Sequence, residues 1–116
     1  TARQRSRYIK IARDIFTQKT AYYASIMHVF YGRISIREQK TRWGSCSSQG
    51  NLNYNWRLIF APEDVLDYIV VHELAHRKEM NHSAAFYNIV EEILPNYKSC
   101  QKWLRDNGAM LWSKGV

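Results

Sequence analysis

No run of apolar residues in this sequence approaches the roughly 18 to 20 needed to cross a bilayer, and the opening TARQRSRYIK lacks the apolar stretch of a signal peptide. A membrane partner is therefore not expected. Cysteine is scarce: Cys46 and Cys100 are too few for a disulfide framework, so reduced thiols in a cytoplasmic protein are the expectation. Only two prolines occur, Pro62 and Pro95, and each falls at an expected helix boundary. There is no internal repeat, no low-complexity segment and no initiator Met, so an upstream segment is expected. A chain of 116 residues suits one domain with one modest core and is short for two. No oligomeric state is specified.

Acidic residues are scarce at the front of the chain. Residues 1–42 hold ten Lys/Arg against two Asp/Glu, a net +8, whereas residues 43–116 hold seven against eight, a net −1. The basic arm formed by Arg3, Arg5, Arg7 and Lys10 can attract nucleic acid or another polyanion through phosphate contacts. The plainer alternative is a solvated helix start, since charge alone carries no specificity.

With 46% apolar residues and 14% aromatics, the chain has material for a globular core. The pattern Ile9, Ala12, Ile15/Phe16, Lys19, Tyr22/Tyr23, Ile26, Val29/Phe30 predicts a long amphipathic helix from about Tyr8 to Tyr31, ending near Gly32 and carrying a partly buried His28. RISIRE alternates like a strand. TRWGSC and NLNYNW then read as two extended runs joined by a hairpin at SSQGN. Pro62, Glu63 and Asp64 favour a helix start, and EDVLDYIVVHELAHRKEM continues as that helix. Two more helices are expected, Ser83 to Leu94 and Tyr97 to Asn107. The order predicts an α+β domain: a long N-terminal helix, a small mostly antiparallel sheet, an active-site helix and two C-terminal helices.

The densest chemical signal lies in VHELAHRKEMNH, which holds three of the four histidines. His72-Glu73-Leu74-Ala75-His76 is an HExxH pattern. On a helix, positions four apart lie about 40° apart in azimuth and about 6 Å apart in height, so two imidazoles can converge on one ion. Glu73 points about 100° away from His72, outside the ligand set but within reach of water near the ion. With four His and six Glu in 116 residues, chance supplies the pattern on the order of 0.007 times.

His82, six residues after His76, is the candidate third ligand. The helix is expected to break at Met80-Asn81, with Asn81 in a left-handed conformation that turns the chain back. Three protein ligands with one open position are the catalytic arrangement of zinc. Val65, Leu66, Ile69, Val70, Val71, Leu74 and Ala75 make the helix apolar over most of its circumference, so it is expected to be buried, where unpaired His and Glu would be costly. Other readings stand beside this one. Hydrogen bonds alone could satisfy the histidines. A structural zinc would need a fourth donor, for which Cys46 is the only obvious one. A metzincin pattern fits in spacing but has Glu79 where glycine belongs. A carboxylate ligand could also come from Glu91 or Glu92.

TRWGSCSSQGNLNYNWRLIFAPEDVLDYIVVHELAHRKEMNHSAAFY, followed by LPNYKSCQKWLRDNG, resembles the YgjP-like family of predicted zinc-dependent hydrolases, related to the WLM and SprT-like metallopeptidases. The resemblance covers about Phe16 to Gly108. It departs at Arg77, where Leu is common, and at Tyr87, where Trp is common. It implies Zn2+ held by His72, His76 and His82, Glu73 as general base, and a minimal gluzincin-like α+β domain that forms the catalytic C-terminal portion of a longer protein. Zinc-assisted hydrolysis follows, Glu73 taking a proton from the attacking water and passing it to the leaving group.

In the related metallopeptidases an edge strand beside the active-site helix pairs with extended peptide, and TRWGSC is similar to that strand. Arg42 would then meet negative charge, Trp43 would form a flat apolar wall, and Gly44 would admit a close backbone. The alternative is Trp43 in the core and Arg42 as a surface charge. Tyr54, Tyr87 and Tyr97 are candidate electrophiles. Asn53 and Asn55 match family positions. The leading expectation is a zinc peptidase acting on peptide or protein. A second is a nucleotide hydrolase, because some family members have been described as nucleoside triphosphate pyrophosphatases, with Arg42 and Arg37 or Lys40 meeting the phosphates. A third is a protease tethered to DNA by the basic front, as in SprT-like relatives.

Overall fold

The computed structural model describes residues 1–112. Its first helix, α1 (Ala2–Met27), begins before the apolar periodicity does, because Thr1 and Gln4 close a capping box. Thr1 Oγ1 accepts from the Gln4 N–H at 3.1 Å, and the Thr1 amino group donates to Gln4 Oε1 at 2.9 Å. The helix ends at His28, which adopts φ 57°, ψ 47°. The left-handed residue stops the helix short of Gly32. His28 is exposed, not partly buried within the helix as its position in the periodic pattern suggested. Ala12, Phe16, Thr20, Ala24 and Met27 form the buried stripe, whereas Tyr22, Ile26 and Phe30 of the expected pattern face outward.

β1 (Ile34–Arg37), β2 (Gly44–Cys46) and β3 (Leu52–Asn55) form one sheet in the order β1-β3-β2. β2 and β3 are the expected hairpin, with Gly50 at φ 83° in its turn. β1 pairs with β3 in parallel, so the sheet is mixed and not mostly antiparallel. The cause is the link 38–43, which crosses from one edge of the sheet to the other and leaves β3 in the centre. Asn55 secures that crossing. Its Nδ2 donates to the carbonyls of Gln39 at 2.5 Å and Arg42 at 3.3 Å, and its Oδ1 accepts from the Arg57 N–H at 3.0 Å. Asn53 ties the three strands together, accepting from Arg37 Nε at 3.1 Å and donating to Ser45 Oγ at 3.0 Å. These bonds give both asparagines a structural role.

A 3₁₀ helix (Trp56–Phe60) leads to α2 (Glu63–Ala75), α3 (Ala84–Ile93) and α4 (Tyr97–Leu111), completing the expected α+β architecture. Pro62 stands at the N-cap of α2, with Glu63 and Asp64 in the first turn, where the helix dipole favours negative charge. α2 runs through the middle, in contact with α1, β2, α3 and α4. Val65, Leu66, Ile69, Val70, Val71, Leu74 and Ala75 are all buried. Each fully buried aliphatic chain contributes about 1.5–3 kcal/mol, enough together to offset the desolvation of the few polar groups on the same helix. Across the core, Phe16 stacks on Tyr54 at 4.4 Å between centroids. Among the described residues no helix is long and apolar enough to cross a membrane.

Candidate metal centre and the cavity beside it

α2 carries His72 in its last turn and His76 as its C-cap. The helix stops at Ala75, earlier than Met80, and tightens: the N–H groups of Arg77 and Lys78 reach back only to the carbonyls of Leu74 and Ala75, at 2.9 and 3.0 Å. Asn81 does not take positive φ, contrary to the expected break there. The turn closes instead through His76, whose Nδ1 lies 3.1 Å from the Glu79 carbonyl. The chain then returns far enough to put His82 Nε2 3.2 Å from His72 Nε2. One ligating atom from each of His72, His76 and His82 lies within 4.8 Å of the others.

Tetrahedral zinc with Zn–N bonds of about 2.0–2.1 Å separates its nitrogen ligands by about 3.3–3.4 Å. The 3.2 Å pair matches that spacing, and three neutral imidazoles are a suitable donor set for zinc. Neither Cys46 nor a carboxylate joins the group among the described residues, and Glu91 and Glu92 are exposed on α3. Beneath the trio lies Phe86, fully buried, with its ring centroid 4.9, 4.6 and 5.1 Å from those of His72, His76 and His82. Ser83 positions it by capping α3: Ser83 Oγ accepts from the Phe86 N–H at 3.3 Å.

Burial holds the His72 imidazolium down to a pKa of about 3, reinforced by repulsion from His76 and His82. Burial likewise lowers His76. Both rings therefore keep free lone pairs at neutral pH. Glu73 is 5% exposed, and burial raises its carboxyl to about 8 against a smaller opposing pull from Arg42. A cation among the histidines would draw that value down. His72 Nδ1 lies 3.3 Å from the Tyr68 hydroxyl, which also accepts from Gln101 Nε2 at 3.1 Å.

The trio and Glu73 open onto a cavity of about 530 Å³ whose walls include Arg42, Trp43, Gly44, Tyr68, Met80 and Leu104. All three residues expected to meet substrate thus reach it. Trp43 is only partly available as a wall, because Trp112 stacks on it at 4.1 Å and Gly108 lies against its ring. Gly44 admits a side chain of this same protein: a Cβ there would lie 3.1 Å from Glu73 Oε2. Arg42 is exposed, and among the described residues no carboxylate pairs with it. β2 forms the open edge of the sheet beside the cavity. The bonds Asn55 N–H to Trp43 O and Ser47 N–H to Asn51 O, both 2.9 Å, direct residues 43 and 47 toward β3. By alternation, the N–H and C=O of Gly44 and Cys46 face the free edge.

Other expectations are redrawn. Tyr54 is fully buried and hydrogen-bonded to Thr20 at 3.0 Å, so it is a core residue. Tyr87 and Tyr97 stack on each other, and neither lines the cavity. Arg77 does not line it either; its guanidinium holds the carbonyls of Phe30 and Ser48 at 2.9 and 3.1 Å. Arg3, Arg7 and Lys10 are exposed on α1, while Arg5 lies 3.5 Å from Glu38. The residues that sequence reasoning missed are Tyr68, Gln101 and Phe86. Tyr68, one helical turn before His72, was within reach of the same spacing argument.

Residues 2–107 match the family described as YgjP-like, metallopeptidase domain. A UTP pyrophosphatase of Escherichia coli (strain K12) is 32% identical over 77 residues, 65% of this chain and 46% of that protein, so the chain spans about half the length of this relative. Two solved structures share the fold. The metallopeptidase zymogen of Pyrococcus abyssi abylysin superposes with a TM-score of 0.70 at 22% identity, covering 78% of this chain and 93% of that one. The metallopeptidase zymogen of Methanocaldococcus jannaschii jannalysin gives 0.69 at 20% identity, covering 79% and 95%.

Proposed function

Because the chain belongs to the YgjP-like family by its metallopeptidase domain, we propose that it is a zinc-dependent peptidase with His72, His76 and His82 as ligands and Glu73 as general base. The observation that carries the reading is the convergence of three imidazole nitrogens within 4.8 Å, next to a buried carboxyl and an open sheet edge. Zinc held there would supply activation of water and polarisation of the scissile carbonyl. Glu73, reaching the same cavity, takes a proton from the attacking water and delivers it to the departing amine. The outward N–H and C=O groups of Gly44 and Cys46 pair with an extended substrate, as an added strand does. Arg42 attracts a carboxylate of that substrate or the developing negative charge.

A second reading, hydrolysis of a nucleoside triphosphate, is favoured by the relative named UTP pyrophosphatase. It needs several cations around the phosphates. Of Arg37, Lys40 and Arg42, only Arg42 lines the cavity, and Arg37 is bonded to Asn53. Peptide therefore suits the walls better.

The test is to incubate zinc-loaded protein with casein and with UTP. The expected result is casein cleavage that is abolished in Glu73→Gln, with UTP intact. Hydrolysis of UTP alone would install the second reading, and no turnover of either would remove both. Binding to DNA that weakens steeply with salt would support a nucleic-acid tether on Arg3, Arg7 and Lys10, and a flat salt response would remove it.

A further inference from the structure

We infer that Tyr68, held in place by Gln101, is a positioning residue of the metal centre: its hydroxyl accepts the Nδ1 proton of His72 and so fixes the tautomer and ring orientation in which His72 Nε2 can ligate. The inference rests on the three-histidine reading proposed above.

A neutral imidazole carries one N–H. For His72 to present the Nε2 lone pair toward His82, 3.2 Å away, its proton must sit on Nδ1. In this partly buried setting that N–H needs an acceptor. The Tyr68 hydroxyl, 3.3 Å from Nδ1, is the polar group placed to accept. Tyr68 is one turn earlier on α2, so the helix itself sets the spacing.

Alone, a tyrosine hydroxyl would turn freely between donating to and accepting from the ring. Gln101 on α4 donates to the same oxygen at 3.1 Å, which fixes the oxygen's position from a second element and, with both bonds accepted, leaves the hydroxyl proton to the cavity that Tyr68 lines. Burial reinforces the arrangement: Tyr68 is 4% exposed, and packing holds its ring in place. His76 has a simpler device, the backbone carbonyl of Glu79 at 3.1 Å from its Nδ1. Both helical ligands thus have an oxygen at Nδ1. Only the one at His72 is a side chain, and it ties the centre to α4. Outer partners of this kind change metal affinity by about 10–100-fold when removed.

The experiment is zinc titration of wild-type protein and Tyr68→Phe against a chromophoric chelator, with thermal melts of both and NMR of the histidine ring N–H protons in the zinc-loaded state. The expected result is one zinc per wild-type chain, about 10–100-fold weaker binding by Tyr68→Phe, and loss of the slowly exchanging His72 Nδ1–H resonance. A Tyr68→Phe affinity within about twofold of wild type, or an unchanged resonance, overturns the inference and leaves the three-histidine reading standing. Absence of stoichiometric zinc in the wild type overturns both. Should Tyr68→Phe fail to fold, Gln101→Met decides: at least about threefold weaker zinc binding supports the relay, and unchanged binding overturns it.

Discussion

Gly44 and Glu73 touch across the boundary between β2 and α2. A Cβ added at Gly44 would stand 3.1 Å from Glu73 Oε2, 3.2 Å from its Cγ and 3.1 Å from the Asn53 carbonyl oxygen. Backbone closes one side, so the carboxyl must give way on the other. Gly44→Ala is therefore expected to retain stoichiometric zinc while losing up to about tenfold in kcat, since contacts near 3.1 Å force the carboxyl to give by a fraction of an ångström and about 1 Å at a reacting group carries a penalty of about 100-fold. Zinc content and peptide turnover measured together check this. Full activity in a variant that still binds zinc would show that the added methyl does not move the Glu73 carboxyl out of its working position.

Glu73 should also destabilise the fold when charged. Its carboxyl is raised from 4.5 to about 8, so below pH 4.5 it is protonated in both the folded and unfolded chains. As pH rises from 4.5 toward 8 the unfolded chain ionises first, and stability is lost across that window. With EDTA present at pH 8, Glu73→Gln is expected to melt higher than wild type, by about 4–8 °C for each kcal/mol recovered. An equal or lower melting temperature would contradict the buried, neutral carboxyl.

His72 shifts in the opposite sense. Its folded value, about 3, lies below the ordinary 6.5. Its contribution to stability is complete above pH 6.5 and is lost as pH falls toward 3, because the unfolded chain binds the proton first. In EDTA, His72→Gln should flatten that acid limb of the melting curve.

Zinc removal and ligand removal should agree. A site that binds N and not U stabilises by about 4 kcal/mol at free zinc a thousandfold above Kd, so EDTA should lower the melting temperature of wild type. His82→Ala leaves two imidazoles on α2 and is expected to abolish most of that EDTA response. His82 is exposed, so the variant should fold normally without zinc. Persistence of the full response in His82→Ala would remove His82 from the ligand set.

Arg77→Leu tests a structural role. Arg77 joins the end of α2 to the carbonyls of Phe30 and Ser48, and its guanidinium packs on Gly50 in the β2–β3 turn. Charge-assisted bonds of this kind contribute about 1.5–3 kcal/mol each, so the variant should lose roughly that much stability with little change in zinc affinity. Urea titration and zinc titration separate the two effects.

The chain order of helices and strands was legible from apolar periodicity and turn residues, and the convergence of His72 and His76 follows from α-helical geometry alone. Those are local properties, set within one turn of backbone. Helix ends were misplaced at Thr1, His28 and Ala75, where local capping decides: a capping box, a left-handed residue and a tightened last turn. The parallel pairing of β1 with β3 depends on which edge of the sheet the 38–43 link reaches, and apolar alternation is the same for either pairing. Gly44 against Glu73, Gln101 on Tyr68 and Phe86 under the three histidines join segments remote in sequence. By itself the sequence determined the chemistry available, HExxH with a later histidine, because covalent spacing and helical pitch place those groups. Only the tertiary structure decided how that chemistry is aimed, because contacts between distant segments form through packing and leave no periodic trace in the chain.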